Sequence, residues 1–475
     1  MKINLLDYGF FRFIFQNKYF TNVLRLFVLV VFVYAIAYGF YDNSENNRVT
    51  GGIFWNLFWP FFMVLMLVTF GRFFCSICPL AFVGKKLNRI GSRKTIPPFL
   101  KNPFVGIFFL IVGFWLVYYI FPGFLKSPVA SATFFLFFSL LSLWFFYRYK
   151  NMAYCKSVCP VSSVTRAFGK VGFTWMTTDA TRCADCKTFE CAKACDWHLQ
   201  PFQFDKKNTM ADCTLCMDCT RACDAVEFEI KQPSYAANLN FIPQKFEVWA
   251  ILLVTAAITV TMNFHHALGR VAISDTYPWA RSAQWLQSVI ALPQGIDAVG
   301  LMAFIYALAV TIMLATGGMW IASKIMRLPY GKVFYTLSYA FAPIFIVGGL
   351  SHLFEFFFYN YASNVSNAFI QMLHLNIPYM KPLASRSDAW VHMFGFFKHL
   401  AVLWALYILY RRFAHLDAPT IRKWLAAPFA AALIAFYLGA GFYAGYALKT
   451  YGTKQHQHQA AVTQPVTQTS GHGTH

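Results

Sequence analysis

The chain has 475 residues, of which 58% are hydrophobic, 19% aromatic and 12% charged. Soluble globular proteins carry roughly 25% charged residues, so this composition argues against an ordinary water-soluble enzyme. The 40 Lys and Arg exceed the 19 Asp and Glu, which gives a formal net charge of +21. On a soluble protein that excess would indicate nucleic-acid binding, but the cytoplasmic loops of membrane proteins also collect basic residues.

Apolar runs of roughly 17 or more residues, long enough to cross a bilayer, recur along the chain. Buried helices of a large soluble protein are the alternative, but such helices are usually amphipathic and shorter. We therefore predict a mainly α, polytopic membrane protein with about nine transmembrane helices, at 24–41, 53–71, 104–122, 131–147, 246–264, 298–322, 333–358, 390–410 and 425–448.

The basic residues predict the orientation of these helices. With the N-terminus inside, the cytoplasmic segments hold 31 of the 40 Lys and Arg, the opposite side holds 8, and Lys398 falls within a span. This asymmetry follows the positive-inside rule, so the charge indicates topology and we expect no nucleic-acid partner. We predict a multi-pass protein of the bacterial inner membrane, in contact with membrane lipid.

Four regions follow from this pattern. We expect a four-helix membrane domain with a helix-end cysteine pair (1–148), a cytoplasmic insert with an α+β ferredoxin-like fold (149–245), and a five-helix membrane domain (246–450). A tail (451–475) rich in Gln, Thr and His should be disordered and lie on the outer side. Its histidines could bind metal weakly or be merely solvated; they are His456, His458, His472 and His475.

Eight cysteines of the insert form two similar motifs. Positions 213–223 read C-x2-C-x2-C-x3-C, and positions 183–195 repeat this pattern with two extra residues in the second gap. In two-cluster ferredoxins three thiolates of such a run bind one [4Fe–4S] cluster, and the fourth ligates the other cluster. Paired zinc sites and core cysteines are the alternatives. The exchange rule predicts one cluster on Cys183, Cys186, Cys191 and Cys223, and a second on Cys213, Cys216, Cys219 and Cys195.

The remaining cysteines lie at the ends of predicted helices. Cys75 and Cys78 precede Pro79, and Cys155 and Cys159 precede Pro160. Nearby basic residues would stabilise thiolates at these positions. A third cluster, a redox-active thiol site and structural cysteines all remain open, whereas a permanent disulfide is not expected in a reducing compartment.

With these motifs the sequence resembles the NapH/NosR/CcoG group of membrane polyferredoxins over roughly residues 53–230. That group carries paired C-x3-C-P motifs at cytoplasmic helix ends together with a two-cluster ferredoxin module. The pair at Cys75 and Cys78 is one residue shorter than the group's spacing, and the five C-terminal helices have no match to NapH. The resemblance implies electron transfer between the quinone pool and a respiratory reductase, or a part in metal-centre assembly.

Ionisable residues within the C-terminal spans are a second candidate site, because such residues are costly in a membrane and usually functional. Two functions are open: ligation of a b-type haem, with His352 and His399 as the first pair, or proton exchange with a quinol, assisted by Glu355 or Asp388. Interfacial histidines without such a role are the third alternative. The other candidates are His265, His266 and His392.

We find neither a nucleophile–base pair nor a phosphate-binding glycine loop, and so we expect no flavin or nucleotide site. The predicted function is electron transfer between quinone or a cytoplasmic donor and a respiratory partner, which would be other redox subunits or cytochromes. Such a chain would be a subunit of an oxidoreductase complex, with no catalytic residues of its own assigned. The alternative is an iron–sulfur reductant or assembly factor for a respiratory metalloenzyme. An ion-translocating subunit ranks last, because few charged residues fall in mid-membrane.

Overall fold

The computed structural model describes residues 3–121, 123–204, 209–240, 243–293 and 295–454. The predicted tail lies almost wholly outside the described residues, and so do its four histidines. Within the described ranges the chain is mainly helical, with one three-stranded sheet.

The N-terminal part consists of helices after one short strand. Helix α2 begins where the Asn17 side chain accepts a hydrogen bond from the Phe20 amide, and α8 begins with Ser127 as its cap and Pro128 as its first residue. Both are favoured helix starts. The elements are β1 (Ile3–Asn4), α1 (Gly9–Gln16), α2 (Lys18–Tyr41), α3 (Arg48–Thr69), α4 (Phe73–Ile77), α5 (Pro79–Ile90), α6 (Pro98–Lys101), α7 (Phe104–Ile120) and α8 (Pro128–Arg148).

The middle of the chain contains short helices and an antiparallel strand pair. Strands β2 and β3 pair from Thr174 opposite Ile230 to Thr178 opposite Val226. Strand β1 pairs with the other edge of β3, so the N-terminus contributes to the sheet of the predicted insert. The elements are α9 (Pro160–Phe168), β2 (Thr174–Thr178), α10 (Ala180–Cys183), α11 (Glu190–Lys193), α12 (Asp218–Ala222), β3 (Val226–Ile230) and α13 (Tyr235–Asn238).

The C-terminal part consists of helices and the segments that connect them, the longest of which is 373–388. Helix α14 contains two π-helical stretches, Thr255–Val260 and Asn263–Ala267, and α16 starts at Asp297, whose carboxylate caps the Gly300 amide. The elements are α14 (Lys245–Arg270), α15 (Pro278–Val289), α16 (Ala298–Met326), α17 (Tyr330–Met372), α18 (Ala389–Phe413), α19 (Thr420–Ala430) and α20 (Ala432–Tyr451).

Seven helices of the described residues are long and apolar enough to cross a membrane: α2, α3, α8, α14, α16, α17 and α18. A bent pair, α19 and α20, would make an eighth span. The predicted run 104–122 forms a shorter apolar helix, α7. The chain therefore has the composition and helices of a polytopic membrane protein, and the count of nine spans stays a prediction.

Two predicted boundaries are corrected by the structure. The run 425–448 is not one helix, because the helical axis bends by 40° between α19 and α20. Pro428 lies inside α19, and a proline within a helix removes a backbone hydrogen bond and favours a bend. The run 333–358 is part of α17, which continues to Met372 through a π-helical turn at Phe357–Tyr361.

The largest buried core joins the C-terminal helices to the segment that follows the helix-end cysteines. Ala167 and Phe168 of α9 are buried together with Ile251 of α14, Phe345 of α17 and Ile408 of α18. This shared core fixes the cysteine-bearing region against the C-terminal helices. Below, the face of the membrane region next to the cysteines is called the cysteine side, and the other face the opposite side.

Candidate functional site

The two helix-end cysteine segments have the same local design. Cys75 lies in α4, and Cys78 directly precedes Pro79, the first residue of α5. Cys159 likewise precedes Pro160, the first residue of α9. Proline suits the first helical position because no donor is needed there, and it keeps the preceding residue extended. Each segment therefore places its second cysteine at the start of a helix.

A π-helical turn accommodates the longer spacing of the second pair. The turn Tyr154–Val158 carries Cys155, and the Cys159 amide donates to the Tyr154 carbonyl at 2.9 Å. Such an i to i+5 bond encloses one residue more than an α-turn. The C-x2-C and C-x3-C pairs can therefore occupy equivalent positions despite their different lengths.

All four helix-end cysteines line one cavity of about 110 Å³. Aromatic rings form much of the remaining wall, among them Trp55, Phe58, Trp59, Phe114, Phe134 and Trp197. Apolar cavities of roughly 150 Å³ hold a compact guest the size of benzene. The space is therefore suited to a small, compact group surrounded by thiols and shielded from water.

Burial makes these thiols poor acids in the absence of a bound cation. It raises the pKa of Cys78 to about 12 and the pKa of Cys159 to about 12. The pKa of Cys155 is also raised, first by burial and then by the charges of Cys159, Cys78 and Cys75. Mutual electrostatic influence of this kind requires that the four thiols be close neighbours. Iron would displace their protons, since a coordinated thiol is deprotonated.

The eight cysteines of the insert fall into two groups of neighbours. Burial, and after it the charge of Cys223, raises the pKa of Cys191 to about 11, with smaller effects of Cys183 and Cys186. Cys223 is thus within electrostatic range of Cys191, and we call Cys183, Cys186, Cys191 and Cys223 the distal set.

The second group is assembled in the same way. Burial raises the pKa of Cys219 well above its usual value, and the charges of Cys213, Cys216 and Cys195 add to this effect. Cys191 of the distal set acts on Cys219 as well, so the two groups are neighbours of each other, and their division follows the exchange rule predicted from the sequence. We call this second group the middle set, and the four helix-end cysteines the membrane set.

Backbone amides point at several of these sulfurs. The Leu215 amide donates to Cys213 Sγ at 3.4 Å, and the Leu199 amide to Cys195 Sγ at 3.5 Å. In the membrane set the Ser162 amide donates to Cys159 Sγ at 3.4 Å. Hydrogen bonds to the sulfurs of iron–sulfur sites stabilise negative charge and adjust the reduction potential.

The four cysteines of the membrane set surround a cavity. Among the described residues, no three His, Cys, Asp or Glu side chains converge as ligands of a single metal ion. The four thiolates of a [4Fe–4S] cluster bind different iron atoms and so surround a volume. The membrane set around its cavity has this form, and its donor set fits the group.

Arg72 is a buried cation between the membrane and middle sets. Its Nη2 lies 3.9 Å from Cys75 Sγ and donates to Ser162 Oγ at 2.8 Å. Its charge also acts on Cys155 and Cys213. A guanidinium in this position stabilises thiolates of both sets.

Trp197 connects the middle set to the membrane set. It lies two residues after Cys195, is 2% exposed, and forms part of the wall of the cavity around the membrane set. Lys156 Nζ donates to the Trp197 carbonyl at 2.9 Å and interacts with the charges of Cys195 and Cys155. The two sets therefore share one buried, aromatic boundary.

On the opposite side, His265 is part of a polar group that the sequence indicated only in part. Its Nε2 lies 3.1 Å from Asp297 Oδ2, and its ring contacts those of His266 and Tyr119. His352 interacts with the charges of His266 and Lys398, and its ring packs on Phe356.

The other candidate histidines are more peripheral. His399 is exposed and its ring lies 5.9 Å from that of Phe442, and His392 is exposed in a 3-10 stretch. Glu355 accepts a hydrogen bond from Ser351 at 3.4 Å. The pairing of His352 with His399 as haem ligands, and the quinol alternative, stay predictions.

Sequence reasoning missed a buried ionic network at the cysteine side. Lys170 Nζ lies 2.7 Å from Glu247 Oε1 and 3.0 Å from the Tyr339 hydroxyl, which donates to Glu247 Oε2 at 2.6 Å. Arg412, fully buried, donates to the carbonyls of Thr336 and Leu239. In the sequence, the only indication of this network was that charged residues occur near the ends of apolar runs.

The comparisons with known proteins concern the cysteine-bearing segments. The model of a family described as a 4Fe-4S binding domain matches residues 52–98 and 131–176. These two stretches contain the four cysteines of the membrane set, each with its preceding membrane helix.

A curated relative and the solved structures add little more. An uncharacterized protein of Methanocaldococcus jannaschii is 25% identical over 161 residues, which are 32% of this chain and 61% of the relative. The chain thus spans about three fifths of the length of the curated relative it matches. No solved structure matches the chain. The family match and the cysteine content support an iron–sulfur protein of the ferredoxin type, and the apolar helices are those of a membrane protein.

Proposed function

We propose that the protein carries electrons between the quinone pool, or a donor on the cysteine side, and a respiratory redox partner. Three [4Fe–4S] clusters would be held by the distal, middle and membrane sets. The observation that carries the proposal is the convergence of Cys75, Cys78, Cys155 and Cys159 on one apolar cavity. When bound, each cluster supplies reversible one-electron transfer.

The surroundings of the three sets differ in their exposure to solvent. The proposed electron path therefore has an end at the protein surface and an end among the membrane helices. Residues 181–190 around the distal motif are mostly exposed, and Phe189 is 45% exposed. Cys191 of the distal set is buried, as is Cys219 of the middle set, so the difference lies in the exposed segment around the distal motif. The membrane set lies among aromatic side chains of the membrane helices. A soluble partner would therefore dock at the distal set, and a membrane-bound partner would meet the membrane set.

Positive side chains beside the cysteines support this role. Lys85 lowers the pKa of Cys216 against the larger effect of burial, which raises it to about 11. Lys85 Nζ is also bound by Asp218 at 2.9 Å. Lys85, Arg72 and Lys156 therefore place positive charge near the middle and membrane sets. Such cations stabilise the negative charge of thiolates.

Reduction by a quinol analogue tests the proposal. The purified protein should show iron–sulfur absorption that bleaches with dithionite, and a quinol or a low-potential soluble donor should reduce part of the same absorption. A protein that dithionite reduces but neither donor reduces would contradict the proposed role.

Deletion of the protein from cells distinguishes the electron carrier from the alternative, an assembly factor. A partner enzyme that remains fully metallated but receives no electrons supports the carrier. A metal-deficient partner supports the assembly factor.

A bacterial inner membrane, with the cysteine side facing the cytoplasm and the C-terminal tail outside, is part of this proposal. It is supported by the predicted spans, which place 31 of the 40 Lys and Arg on that side in keeping with the positive-inside rule. Redox subunits or cytochromes are the proposed partners. A haem b would be detected by a pyridine haemochrome assay, and its absence would leave two alternatives for the histidines: quinol chemistry, or interfacial residues without such a role.

A further inference from the structure

The indole N–H of Trp197 is a buried donor. Trp197 is 2% exposed, and no described residue accepts a hydrogen bond from its Nε1. All twelve cysteines lie within the described residues, so no cysteine sulfur accepts this bond either. A buried indole N–H usually has an acceptor, because a desolvated donor without one is unfavourable. The burial of Trp197 therefore indicates that a group other than the described side chains and carbonyls accepts its hydrogen bond.

Another tryptophan of the same cavity wall shows the usual arrangement. Trp55 and Trp197 both line the cavity that the membrane set surrounds. The Trp55 Nε1 donates to Ser131 Oγ at 2.8 Å, and this hydroxyl donates onward to the Phe124 carbonyl at 3.2 Å. Trp55 thus has an acceptor within the described part of the chain, whereas Trp197 has none.

Backbone contacts fix Trp197 between two of the cysteine segments. The His198 amide donates to the Cys195 carbonyl at 2.9 Å, which closes a turn around Trp197. Lys156 Nζ donates to the Trp197 carbonyl at 2.9 Å, and Lys156 directly follows Cys155 in the chain. A segment of the middle set and a segment of the membrane set therefore both hold this tryptophan against the cavity.

We propose that the Trp197 Nε1–H donates a hydrogen bond to a sulfide of the cluster held by the membrane set, and that this bond raises the reduction potential of that cluster. The inference rests on the proposed function, in which the membrane set holds a [4Fe–4S] cluster. Hydrogen bonds to the sulfurs of such a cluster adjust its potential, because a donor stabilises the negative charge that reduction adds. The membrane set is then a better electron acceptor than it would be without the bond.

A redox titration of Trp197→Phe tests the bond. Phenylalanine keeps an apolar ring in the cavity wall but has no N–H. The iron-replete protein is titrated with EPR detection, and the signal that is lost in Cys155→Ser identifies the membrane-set cluster. We expect Trp197→Phe to lower the potential of this cluster by about 60 mV, a tenfold change in the one-electron equilibrium. The other potentials should stay unchanged.

Two tryptophans serve as controls. Trp55→Phe removes an indole N–H that lines the same cavity but already has an acceptor. Trp115→Phe removes a buried N–H that also has no partner among the described residues, but Trp115 is not part of the cavity wall. Neither substitution should change the potential of the membrane-set cluster.

ENDOR spectra recorded before and after transfer to deuterated water give a second measurement. The reduced membrane-set cluster of the wild-type protein should couple to an exchangeable proton that is missing in Trp197→Phe and present in both controls. If Trp197→Phe loses iron, incorporation of benzothienylalanine at position 197, with sulfur in place of the indole N–H, decides by the same two measurements.

Iron content separates the failure of this inference from the failure of the proposed function. A Cys155→Ser protein that retains all its iron would show that the membrane set holds no cluster, and the proposed function would fail with the inference. An iron-replete variant without the Trp197 N–H that keeps the wild-type potential and the wild-type proton coupling would overturn the inference alone.

Discussion

Lys170 and Glu247, 77 residues apart in the chain, form an ion pair of 2.7 Å in which the side chains are 4% and 0% exposed. The pair joins the segment after the membrane set to the first C-terminal span. Removing one member of a buried pair leaves an uncompensated charge and typically costs about 3–5 kcal/mol. We expect Lys170→Met and Glu247→Gln each to lower the thermal stability of the protein in detergent, and the double variant to be more stable than either single variant.

The exposed pair of Lys332 and Asp417, at 2.9 Å, provides the control. Lys332→Met should change the free energy of unfolding by less than about 1 kcal/mol, as is usual for exposed pairs. Additive effects of the two buried substitutions would show that the pair is not energetically coupled.

Thiol reactivity in iron-depleted protein should follow burial. The Phe189 amide, together with Thr188, lowers the pKa of Cys186, whereas burial raises the pKa of Cys78 to about 12. With a pKa of about 12, the Cys78 thiol stays protonated at pH 8, and only about one Cys78 side chain in 10⁴ is a thiolate. Alkylation with iodoacetamide should label Cys186 first, and the rate at Cys78 should rise about tenfold per pH unit up to pH ~11. Equal labelling of both thiols at pH 8 would contradict the buried site.

Arg72 should raise the reduction potential of a cluster held by the membrane set. Its Nη2 is 3.9 Å from Cys75 Sγ, and reduction adds negative charge that a nearby cation stabilises. Arg72→Met should lower the potential by about 60 mV or more, a tenfold change in the one-electron equilibrium. Arg89→Met, at a side chain 73% exposed, is the control and should leave it unchanged. A redox titration of folded, iron-replete variants makes the comparison.

The apolar runs predicted most of the membrane helices, because an uninterrupted apolar stretch has few alternatives to a spanning helix. The break between α19 and α20 and the extension of α17 to Met372 depend on backbone geometry, which hydropathy does not report. The role of Pro428 could have been inferred, since a proline inside a helix favours a bend.

The cysteine motifs predict the membership of the two sets in the insert, and this division stays a prediction. Convergence of Cys75 and Cys78 with Cys155 and Cys159 was left open, because their spacings differ. The π-helical turn at Tyr154–Val158 removes this difference, and local sequence gives no clear signal for such a turn. The partners Lys170 and Trp197 were also missed, since their contacts exist only in the folded chain.

A redox titration followed by EPR, with iron analysis of the same samples, tests the central claim most directly. Three [4Fe–4S] clusters require about twelve irons per chain, and the account predicts three reducible, magnetically interacting centres in the wild-type protein. Cys155→Ser should lose about four irons and one centre while the other two remain. Zinc in place of iron, or a Cys155→Ser protein that retains every signal, would contradict the account.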